Sequence, residues 1–543
     1  MNTIVIVNDT FRRDYLGCYG NDWIHTPNLD CFAERSALFQ QAYIASYPTV
    51  PNRWDMLTGR YGFPTRGWQP LDRGDVTLAQ ILSRQGVHTE MIWDTPMLAM
   101  HDYNYTRGFR GIEFVHGQKG DPLITDPSLP VRYRAQPHKI KNVNSLGTYL
   151  RNHHGQRYER EYCVARSMSA AMDWLETNHS HESFLLYVDM WDPHEPFDCP
   201  WYDYQRYANP AYDGDRIDYP KYGRMTYMTE QEHEDVRALY AGQVTLVDRW
   251  VGRFLELAER LGLFRNTLIV WTTDHGHLFG EHDLQGKPGA EFGKLYEETT
   301  RIPLLVYHPD GLGGGQRIQG IVQPPDLLPS ILEAMDVPVP AHVEGRSFWP
   351  LVTGTASQIH DYAFSNRFPA QSGNPTYASV EGAAFDGWVG SDRIVEPATV
   401  TDGEWTYICA PKGLPSELYY LPDDPEQSHN LIEERPDVAE RLYAAWIDFM
   451  TDHGASEARL RPFTEGDTEA HARPEGKIYA FRDDHGQWIA FPTEVAARRA
   501  AYRPDAPGPE RTITEVTFGE LLADNPKNLI HLLDQYYWAQ DLV

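Results

Sequence analysis

Short runs of apolar and β-branched residues recur along the first part of the chain, and each is closed by polar residues. Residues 3–7 (Thr-Ile-Val-Ile-Val) end at Asn8-Asp9-Thr10, residues 87–93 end at Asp94-Thr95, and residues 184–188 end at Asp189. Residues 267–272, the strongest such run, end at Asp274-His275-Gly276-His277, and residues 301–307 add another. Continuous apolar runs of this length predict strands covered on both faces. Between them, apolar residues spaced three and four apart predict helices over 76–84, 161–176, 232–261 and 326–335, with Gly86 and Gly262 as stop signals. Thr26-Pro27 predicts a turn, followed by a helix reaching Phe39. Strand and helix alternate over roughly 340 residues, which predicts an α/β fold: a mostly parallel central sheet with helices on both faces.

The texture changes near residue 355. Short strands are predicted at 378–381, 385–389 and 405–409, then a helix from 436 to 449: a small C-terminal antiparallel sheet with its helix. The chain is expected to divide into a main α/β domain (1–355), a smaller α+β subdomain (356–460) and an extension (461–543). Residues 117–145 and 198–230 are polar or rich in Tyr, Asp and Pro, and are expected as excursions over one end of the sheet. Residues 518–522 and 529–538 are too apolar to stand in solvent, so a homo-oligomer, dimer or tetramer, is expected.

The formal charge of −29 over 543 residues opposes nucleic-acid binding, which needs a basic surface. No apolar stretch approaches the roughly 18 residues of a membrane span, and no secretory leader is visible. The five cysteines are scattered and form no C-x-x-C pair, so a cytoplasmic protein is expected.

Candidate chemistry gathers around residues 45–60. Pro48 and Pro51 bracket Thr49 at the start of a predicted helix that ends at Gly59. A helix N-terminus favours an anion, and Arg53, one turn on, shares the face of Thr49. Ligand sites of open α/β sheets lie beyond the carboxyl ends of strands, which is where Asp9, Asp274 and His275 fall. Two carboxylates and an imidazole suit Zn²⁺ or Mn²⁺ better than Ca²⁺, with Thr49 as a fourth ligand and metal-activated nucleophile. His194, His282 and Lys287 are the remaining polar candidates, for charge compensation and protonation of a leaving oxygen.

Taken together these blocks resemble the sulfatase branch of the alkaline phosphatase superfamily. Thr49-Val50-Pro51-Asn52-Arg53 with Leu57-Thr58-Gly59-Arg60 is similar to that family's signature, whose first position is Cys or Ser. Asp192-Pro193-His194-Glu195-Pro196, Asp274-His275-Gly276, Gly280-Glu281-His282 and Gly286-Lys287 extend the resemblance. It implies catalytic roles for Thr49, Arg53, His194, Lys287 and His282, metal binding by Asp9, Thr49, Asp274 and His275, and anion contacts by Thr95 and Asn8. Sulfatases convert the signature Cys or Ser into formylglycine, and threonine cannot undergo that oxidation. Asn8-Asp9 with Asp274-His275 resembles the phosphonate monoester hydrolase and phosphodiesterase members. The expectation is therefore a metal-dependent hydrolase of phosphodiesters or phosphonate monoesters with a threonine nucleophile and one divalent ion. The alternatives are a sulfate-ester hydrolase working without formylglycine and a non-catalytic anion-binding protein. In either enzyme the partner is a small anionic ester.

Overall fold

A computed structural model describes residues 1–99, 103–287, 293–367, 396–465, 477–482, 488–491 and 512–517. Its centre is an eight-stranded sheet in the order Arg317–Ile318, Ala37–Phe39, Leu304–Tyr307, Thr267–Thr273, Asn2–Asn8, Phe184–Met190, His88–Trp93, Gly111–Phe114. From Thr267–Thr273 to Gly111–Phe114 all pairings are parallel, while Leu304–Tyr307 runs antiparallel to both neighbours. Every residue of the three inner strands Asn2–Asn8, Phe184–Met190 and Thr267–Thr273 is buried.

The pleat sends alternate residues to two different cores. Ile4, Ile6, Leu186, Val188, Ile269 and Trp271 meet the helices Cys163–Asn178 and Glu230–Arg260 on one face. Val5, Val7, Leu185, Tyr187, Leu268 and Val270 meet the helices Thr49–Thr58, Leu78–Arg84 and Leu327–Ala334 on the other. The 31-residue helix Glu230–Arg260 starts at a capping box in which Thr229 and Glu232 satisfy each other's backbone N–H groups.

Two predicted elements differ. The helix after Thr26 is only Pro27–Ala33, and Ala37–Phe39 is a sheet strand. There Leu38 pairs with Leu305, and tertiary pairing outweighs the local helical spacing. Residues 301–307 split at Pro303, which has no N–H for a ladder. Arg301–Ile302 pairs with Ala42–Tyr43, and Leu304–Tyr307 joins the central sheet.

A second, mostly antiparallel sheet has the order Glu417–Tyr420, Trp405–Cys409, Ala398–Thr401, Ala363–Arg367, Ser46–Tyr47. Helix Pro436–Asp452 packs on it, with Phe364 stacked on Phe449 at 4.1 Å. The last strand comes from the N-terminal part of the chain: Ser46 and Tyr47 pair in parallel with Asn366 and Arg367. The expected strands at 378–381 and 385–389, and the apolar tail segments at 518–522 and 529–538, lie outside the described residues. Among the described residues no helix is long and apolar enough to cross a membrane. All five cysteines are free thiols.

Candidate active site and metal centre

Thr49 is the first residue of the helix Thr49–Thr58, which Gly59 ends in the left-handed conformation at φ 67°. Asp55 ties the helix to the strand that feeds it, accepting from the Ser46 N–H at 2.7 Å, the Ser46 hydroxyl at 2.9 Å and the Gly62 N–H at 2.9 Å. Thr49 is buried at the start of this helix. Two residues before it, the Tyr47 ring lies 4.9 Å from the His275 ring.

Asp9, Asp274 and His275 converge from the ends of two adjacent parallel strands, and one ligand atom from each lies within 4.8 Å of the others. All three are fully buried. Asp274 Oδ1 accepts from the Thr10 and His275 backbone N–H groups at 3.0 and 2.8 Å. His275 Nδ1 donates to the Gly276 carbonyl at 2.8 Å, so Nε2 presents its lone pair. Nε2 lies 3.3 Å from Asp274 Oδ2 and is buried without a hydrogen-bond partner. Gly276 is required in this turn, because a Cβ there would meet the Glu298 carbonyl oxygen at 1.8 Å.

Burial and the neighbouring Asp274 push the Asp9 carboxyl up, while burial and Lys287 hold the His275 imidazole neutral, well below its usual range. A divalent cation would satisfy the unpartnered Nε2 and relieve the two apposed carboxylates. The residues present therefore fit the metal centre that the sequence suggested.

Arg53 is completely buried, and its guanidinium contacts three carboxylates. Nη1 donates to Asp9 Oδ2 at 3.0 Å and to Asp274 Oδ2. Nε and Nη2 form a fork with Asp189, each bond 3.0 Å long. Burial, which opposes charging, is outweighed by Asp189, Asp274 and Asp9, so the guanidinium stays charged. Arg53 thus grips the metal-ligand carboxylates. The Thr95 hydroxyl donates to Asp189 Oδ1 at 2.5 Å and completes that group. Both ends of the Asn8 amide are engaged: Nδ2 donates to the Asp192 carbonyl at 2.8 Å, and Oδ1 accepts from Trp271 Nε1 at 2.9 Å.

Lys287 is buried, and its Nζ donates to Thr10 Oγ1 at 3.1 Å; that hydroxyl in turn donates to Asp9 Oδ1 at 2.7 Å. Burial lowers the Lys287 pKa against the pull of Glu195, Asp9 and Asp274. His194 stacks on Trp191 at 3.6 Å, and its Nδ1 donates to the Glu195 carbonyl at 2.7 Å. Burial, then Lys287 and Lys119, keep it neutral. His282 stacks on Tyr296 at 3.5 Å with Nε2 3.7 Å from Glu298 Oε2; its contacts are with these two and not with the metal ligands.

Sequence reasoning passed over Asp189, Thr10 and Glu195. Asp189 carried a legible signal, since a carboxylate between the apolar run 184–188 and Met190-Trp191 is buried only when it is paired. Glu195 bonds the Tyr222 hydroxyl, and its Oε2 faces His194 at 3.3 Å and His277 at 3.8 Å. The 117–145 excursion also reaches this end of the sheet: Lys119, nearly buried, stands over Trp191 and Tyr219 at 5.5 and 5.1 Å.

The segment carrying His194 is held by two more buried carboxylates. Asp94 accepts from the Trp191 N–H at 2.6 Å and the Ser167 hydroxyl at 2.8 Å; Asp192 accepts from Gln118, Gln243 and the Val164 N–H. Burial, then Asp192, pushes the Asp94 carboxyl up to about 8. The folded state then binds more protons than the unfolded chain between the ordinary carboxylate range and this value, so this group's contribution to stability falls as pH rises. Asp94→Asn should therefore lose less thermal stability than the parent between about pH 5 and about pH 8, read from melting midpoints at the two values. An unchanged slope would show that Asp94 is ionised throughout.

The profile of the family described as Sulfatase matches residues 1–337. In sequence the chain is similar to an arylsulfatase of Clostridium perfringens, 24% identical over 402 residues that cover 66% of this chain and 80% of the relative. It is also similar to an endo-4-O-sulfatase of Bacteroides thetaiotaomicron, 25% identical over 486 residues that cover 81% and 90%. In structure it is similar to the phosphonate monoester hydrolase of Agrobacterium radiobacter, with TM-score 0.65, 20% identity and coverage of 83% and 96%.

Proposed function

The chain belongs to the sulfatase family, and from that premise we propose that it is a metal-dependent hydrolase of singly charged oxyanion esters, with sulfate esters first. The observation that carries this reading is the buried Asp9–Asp274–His275 group with its unpartnered imidazole nitrogen, gripped by Arg53 from the helix that Thr49 begins. The sequence alone ranked phosphodiesters and phosphonate monoesters ahead of sulfate esters. The relatives matched in sequence carry sulfatase names and support the opposite order. Threonine at position 49 keeps phosphodiesters and phosphonate monoesters as the second reading, because its hydroxyl suits direct attack and cannot become an aldehyde.

Asp9, Asp274 and His275 would hold one divalent cation, Mn²⁺ or Zn²⁺ in preference to Ca²⁺, whose charge lowers the pKa of a neighbouring hydroxyl and polarises the ester. Thr49 supplies the attacking oxygen from a helix N-terminus, where backbone N–H groups favour the anion. Arg53 is committed to three carboxylates, so it fixes the ligands and leaves Lys287 as the cation facing the transferred group. Lys287 Nζ, with its pKa lowered by burial, has a proton to give to the leaving oxygen. His194, neutral and bonded through Nδ1, presents Nε2 as a base for the water that cleaves the ester on Thr49.

The test is a screen of purified protein loaded in turn with Mn²⁺, Zn²⁺ and Ca²⁺ against aryl sulfates, phosphate diesters, phosphonate monoesters and phosphate monoesters. Turnover of aryl sulfate above the others, with Mn²⁺ or Zn²⁺, is expected. Preference for the phosphorus diesters would select the second reading, and turnover with Ca²⁺ alone would remove the nitrogen-containing ligand set.

A further inference from the structure

A second concave site lies on the flank of the helix Glu230–Arg260, and none of its lining residues belongs to the metal centre. It is a groove of about 480 Å³, within the range of small-molecule sites. One wall is aromatic. Trp23 is 48% exposed and is held edge-on by Tyr15 at 5.2 Å and Tyr207 at 5.9 Å. Asn21 Oδ1 accepts from the Trp23 and Ile24 N–H groups, at 3.0 and 2.8 Å, which fixes the backbone under the ring. The Tyr207 hydroxyl is locked by Thr245 Oγ1 at 2.6 Å and the His25 N–H at 3.0 Å. The wall is therefore set before any ligand arrives, which lowers the entropy cost of binding.

The opposite wall is the first two turns of the helix, with Gln231, Glu234, Asp235 and Arg237, and Arg206 and Asn209 close the rim. Asp235 is 4% exposed; its Oδ1 bonds the Tyr204 hydroxyl, while Oδ2 is buried with no hydrogen-bond partner. The exposed carboxylate of Glu234 and the exposed amides of Gln231 and Asn209 are the polar groups that a ligand in the groove can reach. Two arginines and two carboxylates balance among the lining residues, so the groove has no net preference for a polyanion or a polycation. A wholly apolar ligand would leave the planar amides, the guanidinium groups and the Glu234 carboxylate unsatisfied. The remaining chemistry is a neutral ring with an apolar C–H face and many hydroxyls.

We propose that this groove binds a neutral oligosaccharide, with one sugar ring on Trp23 and its hydroxyls bonded to Glu234, Gln231 and Asn209. The ester chemistry at the metal centre does not depend on it.

The experiment is calorimetric titration of the full chain with four probes: cellotetraose, xylotetraose, maltotetraose and chitotetraose. Saturable binding of at least one is expected, weakened about tenfold or more by Trp23→Ala and by Gln231→Ala, with melting temperature and ester hydrolysis unchanged. Because Trp23 is half exposed and Gln231 is on the surface, both variants should fold. Failure of all four probes to bind the parent overturns the proposal. So does binding that neither substitution weakens. A change in mass by light scattering in Trp23→Ala also overturns it, by showing that the wall is a contact between copies of the chain.

Discussion

An Arg53→Ala protein is expected to lose roughly 3–5 kcal/mol of folding stability without metal, and to recover part of that loss when Mn²⁺ or Zn²⁺ is added. The side chain is wholly buried among Asp9, Asp274 and Asp189, so its removal leaves three carboxylates without a cation. A bound divalent ion can replace Nη1 between Asp9 and Asp274, but it cannot replace the fork that Nε and Nη2 make with Asp189. Recovery should therefore be partial. The companion variant Asp189→Asn should weaken metal affinity about 10- to 100-fold, as loss of an outer-shell partner does. In that protein the guanidinium charge would be balanced only by the two metal ligands and would oppose the incoming ion. Denaturant midpoints of both variants, with and without metal, check this. Equal stabilisation of parent and Arg53→Ala by metal would sink the idea that arginine and metal serve the same carboxylates.

Thr49→Ala is expected to lower kcat/KM on the best substrate by a factor on the order of 10⁴ or more, as removal of a covalent nucleophile does. Thr49→Ser should retain measurable turnover, since it keeps the oxygen and removes a methyl group. Both substitutions leave Asp9, Asp274, His275 and the Arg53 fork in place, so each variant can still be loaded with metal and compared at full loading. The deciding measurement is kcat/KM of metal-loaded Thr49→Ala beside its metal content. Activity within a few-fold of the parent, at full metal loading, would move the attack from Thr49 to water.

The central sheet was legible because its strands are buried on both faces, which writes runs such as 3–7 and 267–272 into the sequence in plain form. The metal ligands followed from the same signal, because Asp9, Asp274 and His275 sit where those runs stop. The helix at Thr49 was legible from its prolines and from Gly59. The engagement of Arg53 was not, because the spacing of residues 49 and 53 says only that they share a face, and not that three carboxylates from other strands wait there. Thr95 and Asn8 show the same limit. Sequence put them at strand ends, but Asp189, Asp192 and Trp271 take up their hydrogen bonds. Ala37–Phe39 was misread as helix because three residues carry too little pattern to reveal a partner found at residue 305.

The strand Ser46–Tyr47, which delivers the chain to Thr49, is an edge of the second sheet and pairs with Asn366 and Arg367. During synthesis the turn at Thr49 therefore leaves the ribosome long before the segment that borders it. At roughly 5–20 residues per second, the wait is tens of seconds. A nascent chain that already holds the whole central sheet still lacks the border of the turn at Thr49. Hydrolysis should begin only when the late strands arrive, so premature termination ahead of them yields a folded sheet without a finished enzyme.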